Sequence, residues 1–289
     1  MRLLVGDLAL SVQCEDKALV SALSRFLGRF RVTDAPSRVR ETVWTMRLCG
    51  EEEIRTLHAS MAADNDWSSQ ERLPDVPFVR PVHGGYFLSA RHGIVALAQN
   101  SGSVMALIDA SEVAEGSPEQ HFAPFSSLLR MYMSLAFPHE RGLLVHAASI
   151  ADGPRAHLFV GRSGAGKSTV CDLSAPRPVL CDEISVLRCG PNGTWRLYPS
   201  PFFSNLGRPN PAEKAQPLSR ILLLEHAEED RLESLSAARA LPDFMANVMN
   251  FLDDSITSER LLQLSLDLFA AHPPERLFFT RSKRFWHLL

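Results

Sequence analysis

What this chain lacks narrows its chemistry first. The five cysteines, Cys14, Cys49, Cys171, Cys181 and Cys189, are odd in number, irregularly spaced and never CxxC. That excludes the usual zinc spacings and a disulfide framework, and fits buried reduced thiols in a cytoplasmic protein. There is no basic surplus: 30 Lys and Arg stand against 33 Asp and Glu, for a net charge of −3. Nucleic acid is therefore not an expected partner. No apolar run approaches a membrane span, so no membrane role is expected. The opening residues, Met1-Arg2-Leu3-Leu4-Val5-Gly6-Asp7, put an acid where the apolar core of a signal peptide would continue. Internal repeats and low-complexity tracts are absent. What remains, 45% hydrophobic and 22% charged over 289 residues, reads as a soluble globular protein of one large or two small domains.

Against that background one motif stands out. Gly161-Arg162-Ser163-Gly164-Ala165-Gly166-Lys167-Ser168 matches the phosphate-binding pattern GxxxxGK[ST] in full. Glycines at these positions let backbone N–H groups turn inward around phosphate oxygens. Lys167 supplies a mobile cation for the β- and γ-phosphates, and Ser168 a hydroxyl for the accompanying magnesium ion. The apolar run Ala156-His157-Leu158-Phe159-Val160 predicts a strand before the loop. Ser168-Thr169-Val170-Cys171-Asp172-Leu173 predicts a helix opening near Lys167. Strand, glycine loop and helix is the order such a site requires.

The rest of the chain organises around it. Residues 16–27 predict a helix stopped by Gly28, and residues 43–48 a strand. Residues 86–90 and 94–98 predict a hairpin turning at 91–93, with residues 104–108 completing an antiparallel meander. Residues 62–77, polar and proline-bearing, read as a long loop. Residues 125–137 predict a helix ended by Pro138. The second half opens with a hairpin, residues 142–150 and 156–160, feeding the glycine loop. Ordinary nucleotide-binding α/β proteins feed that loop from a parallel βαβ unit instead. Residues 179–183 predict a strand ending in two acids, Asp182 and Glu183. Residues 184–188 and 195–198 predict a further hairpin, 219–225 and 276–280 strands, and 238–252 and 256–271 helices.

Three runs together, Gly142-Leu143-Leu144-Val145-His146-Ala147-Ala148, the glycine loop through Thr169, and Leu180-Cys181-Asp182-Glu183, resemble the HPr kinase/phosphorylase-like proteins. Their catalytic domain is related to ATP-dependent phosphoenolpyruvate carboxykinase. The resemblance runs from Arg141 to the C-terminus, loosely after Ser204, and Tyr198-Pro199-Ser200-Pro201-Phe202 looks like the shorter members. The strand-rich first half reads as a β-rich N-terminal domain over residues 1–140, and the resemblance implies a mixed or antiparallel-sheet phosphate-loop kinase domain over 141–289, together an α+β protein. It implies ATP and Mg²⁺ as cofactors and ATP-dependent phosphorylation of a hydroxyl, foremost a serine of a protein or peptide. Gly161, Arg162, Ser163, Gly164, Ala165, Gly166, Lys167, Ser168 and Thr169 would bind the nucleotide. Ser168, Asp182 and Glu183 would hold the metal. Asp182 would be the general base or share the metal, and His146 would sit beside the transferring phosphate with Lys167. The family usually has two aspartates where this chain has Asp182-Glu183, and an acid where it has Thr169.

Phosphoryl transfer asks for charge neutralisation, an in-line nucleophile and sometimes a base. Lysine, Mg²⁺ and a nearby carboxylate fill those roles without reference to any family. A small-molecule kinase and a nucleotide sensor without turnover use the same parts and stay open as alternatives. A partner peptide, or a homo-oligomer, is compatible with this reading. Arg208 and Lys214, in a proline-rich stretch, are candidates for a charge clamp or simply a solvated loop.

Overall fold

The computed structural model describes residues 1–33, 41–65, 77–90, 93–114, 117–204 and 212–289. It is a mixed α+β protein with parallel and antiparallel pairings in both of its sheets. The chain divides into two compact units: Met1–Leu135 with Phe251–Asp253, and Ala136–Asn250 with Asp254–Leu289. No described helix is long and apolar enough to cross a membrane.

The first unit begins with β1 (Arg2–Val5) and β2 (Leu8–Cys14), a hairpin turning on Gly6 and Asp7, both at positive φ. Two residues at positive φ match the right-handed twist of a tight hairpin. Helix α1 (Lys17–Leu27) starts where the Asp16 carboxylate accepts the Leu19 N–H at 2.7 Å and stops at Gly28. Then come β3 (Glu41–Cys49), α2 (Glu51–Asp64), β4 (Phe78–Val82), β5 (Gly85–Ala90), β6 (Ile94–Gln99), β7 (Ser103–Asp109) and α3 (Ser111–Ala114). The seven strands run in the order β1-β2-β3-β7-β6-β5-β4. The expected meander is present as β5, β6 and β7. The expectation missed that β3 lies parallel to both β2 and β7. Residues 62–64, expected in a loop, end α2, while 66–76 of that loop and Arg91 and His92 of the expected turn lie outside the described residues.

Helix α4 spans Pro118–His139, longer at both ends than the expected 125–137. Proline in a helix interior removes a hydrogen bond and crowds the preceding turn, which is why Pro138 reads as a boundary; Pro124 lies inside the helix as well. Burial outweighs that cost here: Phe122 and Phe125 on either side of Pro124 are 3% and 0% exposed. Phe125 and Tyr132 both pack against the Trp44 ring of β3.

The second unit contains β8 (Gly142–Asp152), β9 (Arg155–Val160), α5 (Lys167–Leu173), β10 (Val179–Cys181), β11 (Ile184–Cys189), β12 (Trp195–Tyr198), β13 (Gln216–His226), β14 (Arg231–Ser234), α6 (Ala237–Met245), α7 (Ser255–Ala271) and β15 (Pro274–Phe279). The pairings β8–β11, β11–β12, β12–β13, β13–β9 and β9–β8 close a ring of five strands. Strand β13 also carries β15 in parallel. Side chains alternate between two cores. Leu143, Val145, Leu158, Val160, Ile221 and Leu223 join one that α6 and α7 cover. Ala148, Ile150, Phe159 and Leu222 join another, with Val170 and Cys171 of α5 and the C-terminal Phe285.

The helix expected over 238–252 ends at Met245. The following backbone pairs with β8 instead: His146 N–H donates to Asn247 O at 2.7 Å and Met249 N–H to Leu144 O at 2.9 Å. Tertiary hydrogen bonds have overridden helical continuation. The five cysteines are free; Cys14 alone is not buried.

On the second core, His157 is buried against Trp286, whose ring also lies under the Arg177 guanidinium. Burial pushes the imidazole down to about 4, partly opposed by Asp152 at 3.8 Å and reinforced by Arg220 and Arg177. The unfolded histidine takes up its proton near pH 6.5, the folded one only near pH 4. Stability contributed by neutral His157 is therefore full above pH 6.5 and is lost as the pH falls toward 4. Between pH 7 and 4.5 the loss from this residue should be about 2–3 kcal/mol. Urea midpoints of the wild type and His157→Phe over that range check it. An equal acid-side loss in the variant would refute it.

Candidate functional site

Strand β9 is buried along Ala156–Val160 and locked between antiparallel β8 and parallel β13. It delivers the chain into the glycine loop at a fixed point. Gly164 and Gly166 sit at φ +82° and +101°. A Cβ on Gly166 would stand 2.5 Å from Phe279 Cζ and 2.9 Å from His226 Cε1. Those two rings pack 5.0 Å apart, and His226 Nε2 lies 3.2 Å from Gly164 O. The loop is thus backed by aromatic rings from β13 and β15. Ala165 N–H donates to Arg162 O at 3.0 Å, tightening the turn.

Helix α5 begins at Lys167, as expected. The Lys167 ammonium folds back into the loop and donates to Gly161 O at 2.7 Å and Arg162 O at 3.1 Å. Burial holds its pKa below the ordinary lysine value, and the charge of Glu183 pulls it back up. Arg162, Ser163 and Ser168 are exposed and Thr169 is half-buried.

The acids do not end a strand. Asp182 and Glu183 form a bend between β10 and β11, which otherwise run as one path along β8. Ala147 of β8 joins them to the loop. Its N–H donates to Glu183 O at 3.0 Å, and on its other side it registers with Val160, the last residue before the loop. With neighbouring strands about 4.8 Å apart, the bend and the loop entrance are separated by roughly 10 Å. His146 is half-buried beside this point, in register with Ile184. The fold therefore gathers the glycine loop, His146 and the acids around the middle of β8.

Asp182 is 2% exposed. Its Oδ1 accepts the Ser204 N–H at 2.8 Å and its Oδ2 the Ser204 hydroxyl at 2.9 Å. The segment leading to Ser204 is pinned along the bend. Ser200 N–H donates to Leu180 O at 3.2 Å and Ser200 Oγ to Ile184 O at 2.8 Å. Beneath them the Cys181 thiol donates to Ile184 O and Phe202 O, and burial pushes its pKa up to about 12, so it stays protonated and unreactive.

Among the described residues no group of three or more His, Cys, Asp or Glu could hold a metal. Ser168, Asp182 and Glu183 offer one hydroxyl and two carboxylates. That donor set suits Mg²⁺ delivered with nucleotide phosphates and not a dedicated protein cage.

Sequence reasoning missed Ser204 and a cavity beside the loop. The cavity, about 200 Å³, is bordered by Gly161, Ala165, Leu224, Glu225, Asp243 and Arg276. Arg276 bridges Glu225 at 3.1 Å and Asp243 at 2.9 Å. The cavity lies at the carboxyl ends of β9 and β13, with Arg276 reaching it from the middle of β15, and carboxyl strand ends are a common position for ligands in parallel arrangements. Arg208 lies outside the described residues, and Lys214 is exposed.

Residues 124–271, slightly more than half of the chain, match the model of a family described as ScmC, SynChlorMet cassette protein. No curated protein matches the chain.

Proposed function

The chain belongs to the ScmC family, and for it we propose ATP-dependent phosphoryl transfer to a hydroxyl group, foremost a serine of a protein or peptide. The register of β8 carries this reading. It sets a full phosphate-binding loop on one side of Ala147 and the Asp182-Glu183 bend on the other. Loop amides and Lys167 would hold the β- and γ-phosphates. To do so the ammonium exchanges its two carbonyl partners for phosphate oxygens, and their negative charge favours its protonated form. Mg²⁺ bound with the nucleotide supplies charge neutralisation on the phosphates. Ser168 and Glu183 would face that ion. Asp182 would take the proton of the attacking hydroxyl, and His146 would border the transferring group.

A second reading, a nucleotide sensor without turnover, is favoured by one observation: both oxygens of Asp182 are engaged by Ser204. Calorimetric titration with Mg²⁺-ATP, followed by γ-phosphate transfer to serine peptides and to small hydroxyl compounds, separates the two. Binding with transfer to a serine peptide is the expected result. Binding with no transfer to any acceptor supports the sensor, and absence of binding rejects both readings.

A further inference from the structure

The Ser204 hydroxyl already meets the carboxylate that would serve as base, and we propose that it is an acceptor: the chain phosphorylates its own Ser204. The inference rests on the kinase reading above. A general base works only within about 2.6–3.2 Å of the proton it removes. The Ser204 hydroxyl already donates to Asp182 Oδ2 at 2.9 Å, and its own N–H fixes the other carboxylate oxygen at 2.8 Å. That second bond orients the hydroxyl and prevents the carboxylate from turning away.

The neighbourhood separates this serine from its nearest alternative. Ser200 is 0% exposed, and its hydroxyl is spent on Ile184 O. Ser204 is an exposed residue, and the one hydrogen bond of its hydroxyl among the described residues goes to Asp182. The bonds from Ser200 to Leu180 and Ile184 hold the approach to Ser204 along the bend, so the hydroxyl is presented before any nucleotide arrives.

The step balances without a further reactant. Ser204 Oγ forms a bond to the γ-phosphorus of ATP, and the bond from that phosphorus to the β–γ bridging oxygen breaks. The Oγ proton passes to Asp182, and ADP leaves with the bond's electron pair. Once Asp182 has passed that proton to solvent, the product places a phosphate dianion beside a carboxylate, and like charges at this distance repel. Phosphorylation therefore releases Ser204 from Asp182.

The test uses the full chain with Mg²⁺-ATP, read by peptide mass mapping and by the rate of labelling on dilution. Nucleotide binding and transfer to an added serine peptide are measured in parallel. One phosphate per chain on Ser204, at a rate independent of protein concentration, is expected. Labelling should vanish in Ser204→Ala, return in Ser204→Thr, and fall about 10²–10⁴-fold in Asp182→Asn. Mapping on the wild type keeps the result independent of how the variants fold. Nucleotide binding and peptide transfer with Ser204 unmodified would overturn the inference and leave the kinase reading standing. Undiminished labelling in Ser204→Ala, or a rate that falls on dilution, would also overturn it. Absence of nucleotide binding would remove both.

Discussion

Lys167→Met is expected to reduce phosphoryl transfer by about 10²–10³-fold, the scale of losing one preorganised charge partner at a transition state. Lys167 is 8% exposed, and its ammonium lies 2.7 Å and 3.1 Å from two carbonyls of the loop. In the proposed mechanism it therefore starts within a side-chain rotation of the phosphates. Methionine has a similar stem but no charge. The folded protein already disfavours the lysine cation through burial, so removing the charge should change stability by no more than about 1 kcal/mol. Single-turnover transfer and urea unfolding measured side by side test both halves. Transfer at the wild-type rate would remove Lys167 from the mechanism. Loss of transfer accompanied by unfolding would mean that the lysine holds the loop and not the phosphates.

Gly166→Ala is expected to destroy nucleotide binding and to destabilise the protein by about 2–5 kcal/mol. Two costs add. A left-handed φ of +101° penalises any Cβ by about 1–2 kcal/mol. The new methyl would also meet Phe279 at 2.5 Å and His226 at 2.9 Å, and overpacking of this kind costs about 1–3 kcal/mol. Gly164 is the internal control. It has a similar φ of +82° but no atom within 4 Å of the site of a Cβ. Gly164→Ala should therefore cost only the backbone share. Calorimetric binding and unfolding of the pair separate wall from backbone. Equal losses in both variants would show that the aromatic wall is irrelevant.

That wall marks the limit of what the sequence makes legible. The loop itself is contiguous, so spacing alone reveals it. Helix α1 and the β5–β6–β7 meander were also legible, because capping residues and alternation act over a few positions. The β1–β2 hairpin was missed although Gly6-Asp7 between apolar runs is a turn signal. Helix α2 escaped because it buries little, chiefly Ile54 and His58. The bond from Ser204 to Asp182 spans 22 positions, across a hairpin. The Glu225–Arg276–Asp243 bridge joins three separate elements. No local pattern encodes either. The division between the two units falls within α4, where composition does not change.

The ring of strands has a temporal consequence. The glycine loop follows β9, but β13, one of the two strands that flank β9, and the His226 and Phe279 rings that back Gly166 come far later in the chain. At a synthesis rate of about 5–20 residues per second, the loop leaves the ribosome several seconds or more before its wall exists. Pairings of such long sequence separation also form late in refolding. The aromatic backing of Gly166 is thus in place only after β13 has joined the ring and β15 has paired with it.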